Sequence, residues 1–292
     1  MADTNAMAEI RGIDIDKLAK GFADEESIFK KFVTNTSTKA REIRWYQKTS
    51  GFLDSSDTTG ITSSHIANIS FKARPFVVEQ SWTRNTSYIR KYFVESPWLA
   101  DEDIKDTDID ILATNVRDLV RAVENQVDTR IWDILTESRL VTNINLRQTS
   151  GAWNGTGMDP ILDIMKAKQL IRSSGYNPEG AILFLNSTDH MYLLWYLISN
   201  KGSSIPAFAS QKMENGVVME ILGTNIVVSE NVTEDYAALV VQGRAATWKS
   251  FIPITSTLIE DKGIGTKIRV WEEGECILTD PKAVTLISGT RA

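Results

Sequence analysis

The sequence is poor in the side chains that build disulfides and metal sites. Cys276 is the only cysteine, and the only two histidines are His65 and His190. A lone cysteine excludes an intrachain disulfide and a zinc site that uses paired thiolates. Two histidines leave few ways to build a metal site or a general base. We therefore expect no metal and no cofactor, and we interpret Cys276 as a buried, inert thiol.

Long apolar runs are also missing. No stretch of the sequence approaches the roughly 20 apolar residues that span a bilayer. Residues 1–20 alternate charges with short apolar patches and lack the apolar core of a signal peptide. The sequence therefore predicts no membrane partner and a product that stays in the cytoplasm where it is made.

The motifs of common enzyme active sites are absent as well. The chain has no Gly-X-Ser-X-Gly elbow and no phosphate-binding loop, and Gly263-Ile-Gly265 is interpreted as a turn between strands. Carboxylate pairs such as Glu272 with Glu273 could serve acid and base chemistry, but acidic residues are too common here to single one pair out. The tryptophans fit buried or interface anchors better than a sugar-binding site. We expect no catalytic residues and a protein that is not an enzyme.

What is present is the composition of a folded globular protein. Hydrophobic residues make up 42% and charged residues 24% of the 292 positions, close to the average of soluble domains. The 38 acidic residues exceed the 32 basic ones and give a net charge of −6. Such a balance provides no overall attraction to nucleic acid.

The first third of the chain predicts two arms with little core of their own. Residues 1–48 hold only a short amphipathic stretch, so we expect an N-terminal arm that neighbouring subunits hold in place. Within residues 49–95, turn formers precede a strand-like alternation at 69–74, and a second extended run at 88–94 could return antiparallel to it. A β-hairpin of this kind needs support from elsewhere because it is marginally stable alone.

A long helix and a compact α/β portion follow. Apolar residues recur every three to four positions from Leu112 to Leu135, which predicts a spine helix over 108–137 that is about 45 Å long. Asp159 as N-cap and Pro160 behind it predict the start of another helix. The remaining predictions are a helix over 191–198 and strands at 181–185, 226–228, 237–241, 267–271 and 284–287. The fold class is therefore α+β.

Two neighbouring blocks carry opposite charge. The basic block leaves residues 72–91 at about +4 and the acidic block leaves residues 95–110 near −6. Both blocks could simply be solvated surfaces. The sharper hypothesis is that the basic arm of one subunit lies across the acidic segment of its neighbour, because such complementarity sets register and association rate. The residues that we assign to this contact are Lys72, Arg74, Arg84, Arg90 and Lys91 on the arm, and Glu95, Asp101, Glu102, Asp103 and Asp106 on the acidic segment.

The order of these parts resembles the major capsid proteins of tailed bacteriophages, which have the Hong Kong 97-type fold. Ser96 to Leu99 followed by acidic residues, and Glu124 to Asp128 in the spine helix, are similar to phrases of that family. Further similar segments are Gly180 to Asn186, Ile221 to Ser229 and Ala237 to Gly243. The resemblance covers about residues 50–290 and lies in the order of the segments, since each one alone is a common strand or turn.

The resemblance implies four parts of the chain and a structural role. They are an N-terminal arm (1–48), an extended loop (49–95), a peripheral domain (96–157 and 243–275) and an axial domain (158–242 and 276–292). The resemblance implies hexamers and pentamers that close an icosahedral shell around double-stranded DNA, assembled in the host cytoplasm. Partners would be further copies of the chain, with portal, scaffold and decoration proteins. No long charged helical region stands at the start, so any scaffold would be a separate protein.

Two other interpretations stay open at this point. An encapsulin, which forms a cellular nanocompartment, resembles these capsids in fold. A soluble α+β enzyme or binding protein is an alternative of another class. Closed shells in electron micrographs would exclude the enzyme or binding protein.

Overall fold

The computed structural model describes residues 16–23, 26–48, 70–74, 82–100, 111–155, 159–201, 217–261 and 263–291. These residues form helices together with three separate β-sheets, of five, six and two strands. The predicted α+β class is confirmed.

The five-stranded sheet is built on one long hairpin. Strand β11 (Ala246–Asp261) pairs antiparallel with β12 (Gly265–Leu278). Residues 263 and 264 between them form a turn, where the sequence predicts one at Gly263. The register shifts between Ser250 and Thr255, around Pro253, which has no N–H to donate to the ladder. The strands of this sheet are β1 (Thr34–Ser37), β4 (Arg90–Glu95), β5 (Leu99–Ala100), β11 (Ala246–Asp261) and β12 (Gly265–Leu278).

A two-stranded ribbon stands apart from the larger sheets. It pairs β2 (Glu42–Lys48) antiparallel with β3 (Trp82–Tyr88). The sequence predicts a hairpin whose first strand lies at 69–74. That prediction is wrong for residues 70–74, which the structure describes. Residues 70–74 contain a turn, with Lys72 at a φ of 75°. The run predicted at 88–94 becomes β4, which pairs with β12.

The six-stranded sheet holds the predicted buried strands. Its order is β6-β13-β10-β7-β9-β8, and the predictions at 181–185, 226–228, 237–241 and 284–287 are confirmed. The central strand β7 is buried along its whole length, which explains its continuous apolar run. The members are β6 (Asn145–Gln148), β7 (Ala181–Leu185), β8 (Val217–Ile221), β9 (Thr224–Val228), β10 (Tyr236–Val240) and β13 (Val284–Ser288).

The described residues include four α-helices and three short 3-10 helices. Residues 16–23 form α1, and the other α-helices are α2 (Ile111–Leu135), α3 (Pro160–Ser173) and α4 (Ser187–Lys201). The predicted spine helix is α2, confirmed over 111–135, while its expected first residues lie outside the described part. The α3 start is also confirmed, because the Asp159 carboxylate accepts a hydrogen bond from the Leu162 N–H at 3.1 Å.

The spine helix joins two apolar cores. Its first half buries Val116, Val120 and Val123 against α1 and the five-stranded sheet. Its second half buries Ile131 and Trp132 against one face of the six-stranded sheet. The opposite face of the six-stranded sheet is covered by α3 and α4. The helix thus fixes the two sheets to each other.

The described part of the N-terminal segment belongs to the chain's own core. We expected neighbouring subunits to hold this segment, but Phe29 is fully buried and stacks on Phe184 of β7, with ring centroids 4.6 Å apart. Phe32 and Val33 lie in the same core, and β1 pairs parallel with β11. Residues 26–37 therefore find their support inside one subunit.

Candidate assembly surface

One face of the ribbon is turned away from the body of the subunit. Alternate residues of a strand point to opposite faces, and Tyr46 lies directly across from Arg84. Tyr46, Trp82, Arg84 and Tyr88 are all exposed, and Tyr46 and Tyr88 keep 60% and 67% of their surface. Aromatic and arginine side chains are the ones that dominate protein interfaces. The outward face therefore has the composition of a contact surface.

The other face of the ribbon is anchored. Ile43 and Gln47 are buried, and the Trp45 indole N–H donates to the Ser87 hydroxyl across the ribbon at 2.9 Å. The Lys48 N–H donates to the Thr279 carbonyl of the body at 3.1 Å. The ribbon is consequently held in place before any partner arrives.

The structure divides the predicted basic residues into two groups. Arg84 lies on the outward face of the ribbon, and Lys72 and Arg74 lie in the exposed segment 70–74. Arg90 and Lys91 lie on β4 and face acids of β12 in the same chain. Arg90 Nε is 2.9 Å from a Glu275 carboxylate oxygen, and Lys91 Nζ is 3.8 Å from Glu273. Arg90 and Lys91 thus contribute to the sheet.

The predicted acidic residues are placed only in part. Glu95 accepts hydrogen bonds from Lys267 Nζ at 2.9 Å and Arg269 Nε at 2.6 Å, both on β12. The Lys267 bond is the largest contribution that holds the pKa of Glu95 below its ordinary value. Glu95 therefore has intrachain partners. Asp101, Glu102, Asp103 and Asp106 lie outside the described residues.

Strand β12 carries a row of buried acids that ties distant segments together. Glu272, Glu273 and Glu275 are each at most 5% exposed. Glu275 lies between Arg90 of β4 and Arg130 of α2, whose Nε is 2.8 Å from its carboxylate. Each acid is paired with a cation, so the pair Glu272 and Glu273 serves the fold and offers no acid and base site.

The N-terminal segment is locked to α2 by charged groups. Lys30 Nζ lies 2.8 Å from Glu124 and 2.6 Å from Glu272. The Asp128 carboxylate accepts from the Ile28 and Phe29 N–H groups at 3.0 and 3.2 Å, which caps the turn that carries Lys30. We call Lys30, Glu124, Asp128 and Glu272 the ionic junction.

Burial governs the protonation of the junction. It raises the pKa of Glu124 to about 7, although Lys30 opposes the shift, and it raises the pKa of Asp128 to about 6. Burial alone would lower the pKa of Lys30, but the attraction of Glu272 and Glu124 outweighs it and leaves that pKa raised. Lys30 therefore offsets part of the effect of burial on the acids of the junction.

Other candidates for chemistry are few. Cys276 is buried, and burial raises the pKa of its thiol. His190 is a partly buried residue of α4, and His65 lies outside the described residues. Within the described ranges no cluster of three or more histidine, cysteine or acidic side chains could hold a metal, and no helix has the length and apolarity to cross a membrane.

The sequence did not reveal all residues of the ribbon and of the ionic junction. It did not assign Tyr46 to the ribbon, although the alternation in Glu42-Ile-Arg-Trp-Tyr-Gln-Lys48 is a usable strand signal. It named Glu124 and Asp128 as a family-like phrase but did not identify Lys30 as their partner. Lys30 is 94 residues from Glu124 and 242 from Glu272. No local pattern reveals a contact at that separation.

Comparison with solved structures supports one fold. The chain aligns with a virus-like particle from Pyrococcus furiosus at a TM-score of 0.64 and 12% identity, covering 95% of this chain and 99% of that one. The capsid of cyanophage P-SCSP1u aligns at a TM-score of 0.64 and 11% identity, covering 91% of this chain and 89% of that one. An encapsulin complex from Synechococcus elongatus aligns at a TM-score of 0.61 and 9% identity, covering 89% of this chain and 86% of that one. The predicted Hong Kong 97-type capsid fold is confirmed.

Sequence comparison adds the family. No curated protein matches the chain, but the family model described as phage capsid protein matches residues 98–287. That match begins in the Ser96 to Leu99 segment and runs through the spine helix and the six-stranded sheet. Because it spans well over half of the sequence, this chain is a structural, non-enzymatic protein that belongs to the phage capsid protein family.

Proposed function

We propose that this chain forms hexamers and pentamers that close an icosahedral shell around the double-stranded DNA of a tailed phage. The observation that carries the proposal is the family match over residues 98–287. Assembly would take place in the host cytoplasm. Portal, scaffold and decoration proteins are the partners that such a shell would use.

The predicted division into parts is kept within this proposal. We assign 96–157 and 243–275 to a peripheral domain and 158–242 and 276–292 to an axial domain. One apolar core on the five-stranded sheet and another under α3 and α4 are consistent with two domains. The bounds themselves stay a proposal, because a third core contacts both sheets and β12 runs through the boundary at 275. Residues 1–48 and 49–95 would be the N-terminal arm and the extended loop.

The ribbon supplies the contact between copies in this proposal. Its exposed aromatic and arginine side chains would dock on a neighbouring subunit, with Arg84, Lys72 and Arg74 directed at the neighbour's acidic segment. Those acids are Asp101, Glu102, Asp103 and Asp106. Arg90, Lys91 and Glu95 would contribute less, because they already have intrachain partners.

Shell formation by the purified protein tests the proposal. Electron microscopy and sedimentation at low and high salt should show closed particles whose yield falls as salt screens the ribbon contact. Particles should carry DNA protected from nuclease when they are isolated from infected cells. A cargo enzyme in place of DNA would favour the encapsulin interpretation, which the similar structural match supports. A protein that stays monomeric at every concentration and salt would refute shell assembly.

A further inference from the structure

The outer side of the axial region exposes a stripe of large apolar side chains. On α4, Met191, Trp195 and Ile198 recur at the spacing of one helix face and are all exposed, with Trp195 at 69%. On α3, Leu162 and Met165 are exposed in the same way. We call these five residues the helical face.

The α4 side of the helical face carries no charge. From Met191 to Asn200 the sequence contains no aspartate, glutamate, lysine or arginine. Helices that face water normally place charged residues on that side. A helix that is apolar inside and uncharged outside is typical of an element that is covered on both sides.

Both helices present this face on one side of the subunit. Their inner sides, with Ile164 and Leu193, pack into the same core on one face of the six-stranded sheet. The Tyr196 side chain hydrogen-bonds to Asp159, the cap residue of α3. The exposed residues of α3 and α4 therefore belong to one surface.

A groove borders the helical face. It has a volume of about 310 Å³. Its lining combines Met165, Pro178 and Leu222 with the polar residues Lys168, Gln169, Arg172 and Glu179. Lys168 closes one wall, because its Nζ donates to the Leu222 carbonyl at 2.6 Å. A ridge of apolar side chains beside a groove gives the relief that a protein partner can interlock with.

The apolar area of the helical face is a substantial part of what one side of a stable interface needs. Full burial corresponds to roughly 100 Å² for a large aliphatic side chain and roughly 200 Å² for an aromatic one. The five side chains are about half exposed and therefore present roughly 300 Å². A standard interface buries about 800 Å² per partner, somewhat more than half of it apolar. The helical face alone can supply most of that apolar share.

We infer that the helical face is an interface with a second copy of this chain, and that it joins neighbouring subunits within one ring. The inference rests on the proposed shell function, since a ring supplies every subunit with an identical neighbour. A ring requires a heterologous contact, in which this face meets a different surface of the next subunit. It is separate from the ribbon contact.

Substitutions at Trp195 test the inference. Trp195→Glu places a charge in the face and should reduce the assembled fraction at least tenfold, while Trp195→Phe keeps an apolar ring and should assemble as the wild type does. Both variants should leave the urea midpoint of the unassembled subunit unchanged, because Trp195 is exposed. Met191→Glu repeats the test at a second position, so that a folding defect at Trp195 does not decide the outcome.

The outcomes separate this inference from the proposed function. Normal particles from Trp195→Glu and Met191→Glu would overturn the inference and leave the shell function standing. A lowered urea midpoint for both variants would also overturn it, since the face would then be covered within its own chain. Failure of the wild type to form any particle would contradict the proposed function itself.

Discussion

The ionic junction and the ribbon use similar side chains in opposite ways. In the junction, Lys30 lies between Glu124 and Glu272, and every charge finds its partner inside the subunit. On the ribbon, Arg84 and its aromatic neighbours point outward, and Arg84 has no ion-pair partner among the described residues. The first arrangement specifies a fold, whereas the second has the form of a contact still to be made.

The difference shows that charge pattern alone does not identify an interface. Arg84 and Arg90 are six positions apart and fall in the same basic block of the sequence. Only the structure separates them, because the partner of Arg90 is Glu275 at the far end of the chain. Whether a charge contributes to the fold depends on its position relative to the body, which its sign does not reveal.

The largest expected effect lies in the body, at Gly274. A Cβ there would overlap the Trp248 ring and lie 3.0 Å from the Lys249 carbonyl. Gly274→Ala should therefore destabilise the subunit by about 3 kcal/mol in urea unfolding. Gly21→Ala is the control, since Gly21 in α1 has open space around it, and alanine there should stabilise by up to about 1 kcal/mol. Similar midpoints for the two variants would contradict the described packing.

Removing the cation of the ionic junction should have an effect of similar size. Lys30→Met leaves Glu124 and Glu272 buried without their shared partner and should cost about 3 kcal/mol at pH 8. Urea unfolding of the unassembled subunit measures it. Lys31→Met is the matched control, because Lys31 follows in the chain and is exposed, and it should change stability by less than about 0.5 kcal/mol.

The pH dependence of that defect sharpens the prediction. The pKa of Glu124 in the folded protein is about 7, whereas its ordinary pKa is 4.5. A raised acid pKa stabilises the fold at low pH, and this contribution is lost as the pH rises through the folded pKa. Lys30→Met should raise the pKa of Glu124 further. The variant should therefore lose less unfolding free energy at pH 5 than at pH 8. A defect that does not change with pH would contradict the assigned role of Glu124.

One substitution at two positions tests the comparison directly. Arg90→Glu faces the buried Glu275 with a like charge and should destabilise the subunit by about 1 to 2 kcal/mol. Arg84→Glu should change the unfolding free energy by less than about 0.5 kcal/mol but should slow particle formation. Urea unfolding and light scattering of both variants give the two readouts. The comparison fails if Arg84→Glu unfolds early or Arg90→Glu affects assembly alone.

Sequence patterns predicted the elements whose signals are local. The spine helix is visible as an apolar repeat, α3 as the Asp159-Pro160 cap, and β7 as a short apolar run. Strands β1 and β11 were missed because their polar residues, and Pro253 in β11, conceal the strand pattern. Strand β12 was predicted only over 267–271. The ribbon's first strand was placed at 69–74 because the pairing of β2 with β3 across about 33 intervening residues leaves no local trace.

The candidate surface was predictable only as a composition. The basic block pointed to the arm, and Arg84 does lie on the outward face of the ribbon. Lys91 and Glu95 each pair with a residue of β12, and this depends on the order of the strands. Lys30 pairs with Glu124 of α2, and this depends on the position of the helix. Only such tertiary contacts show whether a charged residue is paired within the chain.

The smallest expected effects lie in α1. The Asp16 carboxylate binds Lys20 at 2.5 Å on the surface and also accepts the Ser256 N–H of β11 at 3.1 Å. Exposed ion pairs contribute less than about 0.5 kcal/mol, whereas an unpaired strand N–H costs about 1 kcal/mol or more. Lys20→Ala should therefore leave the urea midpoint nearly unchanged, and Asp16→Ala should lower it measurably. Equal effects would mean that α1 is held by its surface charges, and the contrast between body and surface contacts would not extend to this helix.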